Sequence, residues 1–296
     1  MALHSKIASI FEVFPDVLIL LGSDGKILDH KVPSTSEFYL VAPEVWQGKS
    51  LYEILPERVG TLFENTLLQV LHTQTPSSLE YSLSLNLQRK YFEARVIPVE
   101  ENQAIAIIRN ISDRKQLEIQ LLHDALHDPL TGLPNRSLLM DRIEMAIRRF
   151  HRFPKTHFEL LFIDLDGFKN VNDTFGHGVG DRLLIAISHI LHDSVRGNDT
   201  VARLGGDEFT ILLDPPRESS DRNPSLIEAK IVAERILNAL KAPILIAEHS
   251  ILSGASIGIV QCDARYSRAE DVLRDADIAL YQAKENGKGR YAIFEP

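Results

Sequence analysis

Two nearby stretches decide the fold: FELLFIDLDGFKNVND at 158–173 and RLGGDEFTILL at 203–213. The first is apolar almost throughout up to Asp164, which predicts a buried strand over 158–164 ending on a carboxylate. The carboxyl ends of strands in α/β sheets are where side chains are exposed to ligands. In the second stretch Gly205-Gly206 supplies a hairpin turn, and Asp207 and Glu208 follow at once. With the hairpin beside the strand, Asp164, Asp207 and Glu208 form a carboxylate cluster. Crowded carboxylates repel unless a hard cation neutralises them, and oxygen donors suit magnesium or manganese rather than zinc or copper. The bland alternative is that these acids merely decorate a turn.

Outward from this centre, DPLTGLPNR at 128–136 is dense in turn residues. Periodicity then predicts helix 136–151, strand 158–164, helix 179–194, strands 200–203 and 208–213, and helix 225–241. Strands 244–247 and 251–260, helix 269–286 and strand 290–294 complete the series. The β-α-β-β-α-β order predicts an α/β sandwich of the ferredoxin-like type.

Upstream, residues 7–14 (IASIFEVF) have helical spacing, and DVLILL and KILDH read as strands joined by a turn at Asp24-Gly25. LFENTLLQVLH lies in a mixed, partly helical middle. Three period-two runs follow: SLEYSLSLNL, KYFEARVIPV and AIAIIRNI. Together they predict a five-stranded antiparallel sheet with helices on one side. Between the halves, ISDRKQLEIQLLHDALH at 111–127 lacks Gly and Pro and predicts a helix. Ser112 or Asp113 is the expected N-cap. Its apolar stripe of Leu117, Leu121, Leu122, Ala125 and Leu126 either packs on its own domain or joins two copies in a short coil. The expected division is therefore 1–110, a linker helix 111–127, and 128–296.

The 296 residues suit two domains at roughly 100–200 residues each. The net charge of −9 argues against a nucleic-acid coat or a polybasic membrane binder. No nucleic-acid or membrane partner is expected, and any anionic nucleotide would need local Lys or Arg and a cation. The single cysteine, Cys262, excludes an internal disulfide and a cysteine zinc cluster. No apolar run reaches the ~20 residues of a membrane span, and MALHSK lacks a signal-peptide core. The expected location is the cytoplasm.

RLGGDEF at 203–209 resembles the signature of the GGDEF-domain diguanylate cyclases. DPLTGLPNR, FIDLDGFKNVND at 162–173, GHGVGD at 176–181 and YQAKENGKGR at 281–290 resemble the rest of that pattern, in order, over 123–296. The resemblance implies a cyclase-type core that converts two GTP into cyclic di-GMP and two pyrophosphates. It implies that Asp164, Asp207 and the backbone carbonyl of Leu165 bind magnesium or manganese, with Glu208 a second-metal ligand or general base. Gly205 and Gly206 would let the backbone approach the phosphates, and Lys169, opening the helix after the metal strand, would bind phosphate together with Lys284 and Lys288. The family often has Arg where Lys288 stands. Asn172 and Asp181 resemble the guanine-reading pair, with His177 lining the base or ribose site. Each domain would hold one GTP, so two copies must face each other as a homodimer.

RGND at 196–199 stands nine residues before the double glycine, where the family's product-inhibition site lies. Arg196 and Asp199 would grip cyclic di-GMP there; the second arginine is not assigned. Residues 7–110 resemble a PAS sensor domain, and NISDRKQLE at 110–118 its exit into a signalling helix. The whole is thus an α+β chain: a PAS-like domain, a helical linker and a GGDEF domain with a ferredoxin-like core. A flavin–cysteine adduct in the PAS half is excluded, because no cysteine precedes 262. A haem would need an axial ligand, for which His30 or His72 would have to serve; the expectation is an unliganded relay module. Two rival readings are a catalytically silent GGDEF domain that binds GTP or cyclic di-GMP, and a cyclase of altered base choice. Retention of Asp164, Asp207 and Glu208 argues against the first, and Asp181 against the second.

Overall fold

The computed structural model describes residues 15–33, 43–85, 87–100, 102–153, 157–213 and 226–295. The helical pattern expected at 7–14 lies outside these residues. The chain divides into two compact units, Met1–Leu121 and Leu122–Pro296.

In the first unit, strands β1 (Val17–Gly22), β2 (Ile27–Lys31), β3 (Ser77–Leu85), β4 (Gln88–Glu100) and β5 (Gln103–Asn110) form one sheet. Its order is β2-β1-β5-β4-β3 and every pair is antiparallel. The period-two pattern explains which side is buried. Val17, Ile19 and Leu21 of β1, Ala94 and Val96 of β4, and Ala104, Ala106 and Ile108 of β5 share one covered face. Helices α1 (Leu51–Ile54) and α2 (Glu57–Thr73) lie on it, α2 through Val59, Phe63, Leu67 and Val70. The 59/63/67/70 spacing is one helical face. Each fully buried aliphatic or aromatic side chain of this kind contributes roughly 1.5–3 kcal/mol. Gly25, at φ 75°, makes the expected β1–β2 turn. Buried Asp16 is matched by Arg109, whose Nη2 lies 2.7 Å from Oδ2.

Helix α3 (Ser112–Leu126) leaves this unit. Its first amide, on Ser112, donates to the Asn110 side chain at 2.9 Å. The first helical bond runs from the Lys115 amide to the Ile111 carbonyl at 2.9 Å, so Ser112 and Asp113 lie inside the first turn rather than at the expected cap, and the Ser112 hydroxyl accepts from the Tyr91 amide. Leu117, Ile119, Leu121 and Leu122 are exposed along the helix.

The second unit is built on β6 (Phe158–Asp166), β7 (Thr200–Gly205), β8 (Glu208–Leu213), β11 (Gly254–Cys262) and β12 (Tyr291–Ile293). The sheet order is β12-β11-β6-β8-β7, antiparallel except for parallel β11–β12. The apolar run of β6 is explained by its central place with both faces covered. Leu161, Ile163 and Leu165 enter one core with α6 (His177–Asp193) and α7 (Ile227–Ala239). Phe158, Leu160 and Phe162 enter the opposite core with α4 (Arg136–Arg152) and α8 (Ala269–Glu285).

Two elements differ from the periodicity series. Helix α5 (Phe168–Phe175) is absent from that series, although a helix opening at Lys169 was expected after the strand; it is short, and left-handed glycines at 167 and 176 bound it. The tract 244–260 is not two strands but a small hairpin, β9 (Ile244–Ile246) with β10 (His249–Ile251), followed by β11. Its turn includes Ala247 at φ 53°, a conformation that no glycine or asparagine signalled. Among the described residues no helix is long and apolar enough to cross a membrane. Cys262 is buried.

Helix α8 sits directly on β11 at Gly258, where a Cβ would run into the backbone of Ala276 and Leu280. Gly258→Ala is expected to cost about 1–3 kcal/mol, the usual cost of overpacking. At ~2–4 °C per kcal/mol for a unit of this size, thermal unfolding should fall by several degrees. An unchanged midpoint would mean that α8 can slide.

Candidate active site

The register of the sheet brings the acids together. Asp164 on β6 is the direct cross-strand partner of Glu208 on β8, and the Leu165 amide donates to the Asp207 carbonyl at 3.4 Å. The turn between β7 and β8 needs both glycines, for Gly205 has φ 143° and Gly206 φ 52°. It is braced from beneath by Arg203, a residue that the sequence patterns left without a role. Arg203 Nη2 and Nε donate to the Gly206 carbonyl at 2.7 and 3.1 Å. Its Nη1 donates to both oxygens of Asp128 at 2.9 Å. This pair is well covered, at 10% and 14% side-chain exposure, so it is not a solvent-screened surface bridge. Thr131 adds its amide and hydroxyl to Asp128 Oδ1 at 2.9 and 2.7 Å. Burial pushes the Asp128 acid up, but the hydrogen bonds from Thr131 and Arg203 outweigh it and hold the acid below its ordinary value. DPLTGLPNR is thus the platform on which the Gly-Gly turn rests.

The carboxylates are charged against resistance. Burial raises the Asp164 acid and Lys284 opposes, while Asp207 and Asp166 add to the rise. Burial also raises Glu208, with Asp164, Asp277 and Asp207 adding. Lys284, expected as a phosphate ligand, has its Nζ 2.8 Å from Asp164 Oδ1. Among the described residues no three His, Cys, Asp or Glu side chains converge as on one ion. The expected three-acid cluster is therefore a facing pair, Asp164 and Glu208, with Asp207 at the turn and the Lys284 ammonium on Asp164. The donor set still fits a hard divalent cation: it is all oxygen, and added positive charge would relieve the raised acids.

A second group lies along α5 and α6. Asn172 Oδ1 is buried with no hydrogen-bond partner. Gly180 makes room for it, since a Cβ at 180 would collide with that oxygen. His177 and Asp181 stand one turn apart in the first turns of α6, both exposed. Lys169 is exposed on α5. Lys288 lies in the turn after α8 at φ 59°, a left-handed conformation that is uncommon for lysine. Asp166 was missed: it accepts from Ser256 Oγ and from the Gly289 amide, both at 2.9 Å.

Arg196 and Asp199 form a closed turn. The Arg196 amide donates to Asp199 Oδ2 at 2.9 Å, and the Asp199 amide to the Arg196 carbonyl at 3.0 Å. The Arg196 guanidinium reaches Glu228 Oε1 at 2.6 Å. Seven residues along the same helix, Arg235 Nη1 donates to the Ser194 carbonyl at 2.7 Å. In the first unit the His30 ring packs against Trp46 at 5.3 Å between centroids.

A family model described as diguanylate cyclase, GGDEF domain, matches residues 125–290, more than half of the chain. The chain belongs to this family. A PAS-fold model matches residues 11–116. The GGDEF portion is 43% identical over 176 residues to the bifunctional diguanylate cyclase/cyclic di-GMP phosphodiesterase MucR of Pseudomonas aeruginosa, covering 60% of this chain and 24% of that protein. It is 37% identical to the diguanylate cyclase TpbB of the same species, covering 59% of this chain and 39% of that one. The chain thus spans well under half the length of these curated relatives. The solved GGDEF domain of TpbB superposes with a TM-score of 0.52 at 35% identity, over 57% of this chain and 94% of that one. The coiled coil and GGDEF domain of DgcB from Caulobacter crescentus, in complex with c-di-GMP, gives 0.53 at 25% identity, over 61% and 91%.

Proposed function

We propose that this GGDEF protein condenses two GTP into cyclic di-GMP with release of two pyrophosphates, as a homodimer regulated by its PAS-type unit. The observation that carries the reading is the facing pair Asp164 and Glu208 beside a glycine turn held open by Arg203 and Asp128. In each half-reaction the ribose 3′-oxygen of one GTP attacks the α-phosphorus of the other. The hydroxyl proton passes to a base, for which Glu208 is the candidate on this chain, or to water; the P–O bond to the β-phosphate breaks, and pyrophosphate departs.

Asp164, Glu208, Asp207 and the Leu165 carbonyl would hold magnesium or manganese. Bound there, the cation supplies charge neutralisation for the attacking and leaving oxygens. The chain's own residues do the remaining work. Gly205 and Gly206 admit the phosphates close to the backbone. Lys169, Lys284 and Lys288 balance phosphate charge, Lys284 exchanging its Asp164 partner for it. Asp181 offers its exposed carboxylate to guanine N–H groups, with Asn172 beside it in the same base site. Adenine has no matching donors and would leave the carboxylate unpaired. His177 lines the same nucleoside site.

One GTP per domain requires two domains face to face, which is the reason for the homodimer. The exposed Leu117, Leu121 and Leu122 of the linker helix support pairing there. The Arg196–Asp199 turn is read as the product-inhibition site, with Arg235 the neighbouring cation. PAS-driven reorientation of the linker helices would set how often the active sites meet.

The test is incubation of the purified chain with GTP and magnesium, followed by chromatography of the nucleotides. Cyclic di-GMP is expected from the wild type and not from the double variant Asp207→Ala, Glu208→Ala. GTP binding without product, persisting in a chemically cross-linked dimer, would favour a silent binding module instead.

A further inference from the structure

The turn that carries Lys288 has an unusual backbone. Gly287, Lys288 and Gly289 have φ values of 108°, 59° and 62°, three left-handed residues in succession. A lysine in that region is strained and persists only where its surroundings over-determine it. One end of the turn is closed onto helix α8, where the Gly287 and Lys288 amides donate to the Lys284 and Ala283 carbonyls at 3.3 and 3.2 Å. The other end runs into β12, where the Ile257 amide of β11 donates to the Arg290 carbonyl at 3.0 Å. Between these two ends the Gly289 amide is held by Asp166: Oδ2 accepts from the Gly289 amide and Oδ1 from the Ser256 hydroxyl, both at 2.9 Å.

That anchor is itself fixed from three sides. Ser256 is fully buried in β11. Gly254, the β11 residue opposite Asp166, leaves the carboxylate its space, since a Cβ there would lie 3.3 Å from Oδ2. Asp166 is the last residue of β6, two beyond Asp164, which Lys284 already meets at 2.8 Å. A single carboxylate thus joins the strand end bearing Asp164 to the turn that bears Lys288 and follows Lys284 in the last turn of α8, across 123 residues of sequence.

We propose that Asp166 is a positioning residue, which holds the 286–290 turn so that Lys284 and Lys288 stand over the triphosphate site at the end of β6. This rests on the reading of the site as a GTP site. Asp166 touches no substrate; it acts through the Gly289 amide. Its loss should weaken a contact made equally to bound substrate and transition state, and so raise KM more than it lowers kcat.

The experiment uses the full chain and two variants, Asp166→Ala and Asp166→Asn. The asparagine keeps an oxygen for the Gly289 amide, and its Nδ2 can donate to Ser256. Three quantities are measured: amide hydrogen exchange over 286–290, GTP binding with magnesium, and steady-state cyclic di-GMP formation. Asp166→Ala is expected to speed exchange in the turn at least tenfold. It should weaken GTP binding and raise KM about tenfold, with kcat changed less than threefold. Asp166→Asn should restore most of the protection and of the KM, which a role in bulk stability or in charge alone would not do. Unchanged exchange in Asp166→Ala overturns the anchor. Faster exchange with unaltered GTP binding overturns the positioning role. A wild type that binds no GTP would instead bring down the reading of the site, and the exchange result would still decide the anchor.

Discussion

Asp164→Asn is expected to lower cyclic di-GMP formation by at least ~1,000-fold while leaving the fold intact. The side chain is only 17% exposed, at the end of the central strand, directly opposite Glu208. Its charge is maintained against burial and against Asp207 and Asp166. A group kept ionised at such a cost is suited to holding a cation, and the charge stabilisation supplied by a bound metal is worth several kcal/mol. At 1.36 kcal/mol per tenfold in rate this gives about three orders of magnitude. The asparagine is nearly isosteric, so the sheet register should survive, and Lys284 loses only its ion partner. The measurements are product formation across a magnesium titration and thermal unfolding of the same sample. A loss smaller than tenfold, or full recovery at high magnesium, would place the essential metal contact elsewhere.

Glu159→Gln is expected to stabilise the second unit by about 3 kcal/mol above pH 7 and to have no effect below about pH 4.5. Glu159, near the start of β6, has its acid raised from 4.5 to about 7, by burial first and then by the charges of Glu228 and Asp199. The folded chain therefore keeps this proton up to about pH 7, whereas the unfolded chain releases it near 4.5. Between those values the folded state binds more protons, so stability falls as pH rises. Holding the proton to about pH 7 instead of 4.5 corresponds to about 3 kcal/mol, at 1.36 kcal/mol per tenfold in proton affinity. The full stability contribution is present below the unfolded value and lost through the folded one. Glutamine has no proton to release, so its curve should stay flat where the wild-type curve descends. Thermal unfolding from pH 4 to 8 tests this. Parallel curves for the two proteins would mean that Glu159 is ionised in the folded state throughout.

These residues differ in how visible they were in the sequence. Asp164 was visible because a long apolar run must end somewhere, and an acid at the end of a central strand is conspicuous. Glu208 and the two glycines were visible because a hairpin turn needs left-handed backbone and the acids followed it. Three of the five strands of the first unit were visible because one covered face imposes period two, and the other two because the Asp24-Gly25 turn separates them. Helix α5 showed no period, since eight residues between two glycines are too few for one; the expected helix opening at Lys169 came from the motif alone. The β9–β10 hairpin was hidden because its left-handed residue is an alanine, and no side-chain pattern announces that conformation.

Local patterning therefore determined the strands and the longer helices and marked out the short turn motifs. The reason is that periodicity and turn preference act over a few neighbouring residues. Tertiary structure alone decided what those motifs do to one another. Arg203 meets Asp128 across 75 residues, Asp166 meets Gly289 across 123, and Lys284 lies on Asp164. Gly180 and Gly258 count because of what packs against them, and the Glu159 acid because of burial and of charges on other elements. Such effects depend on distance in space, and that distance is set only when the sheet closes and its helices settle on it.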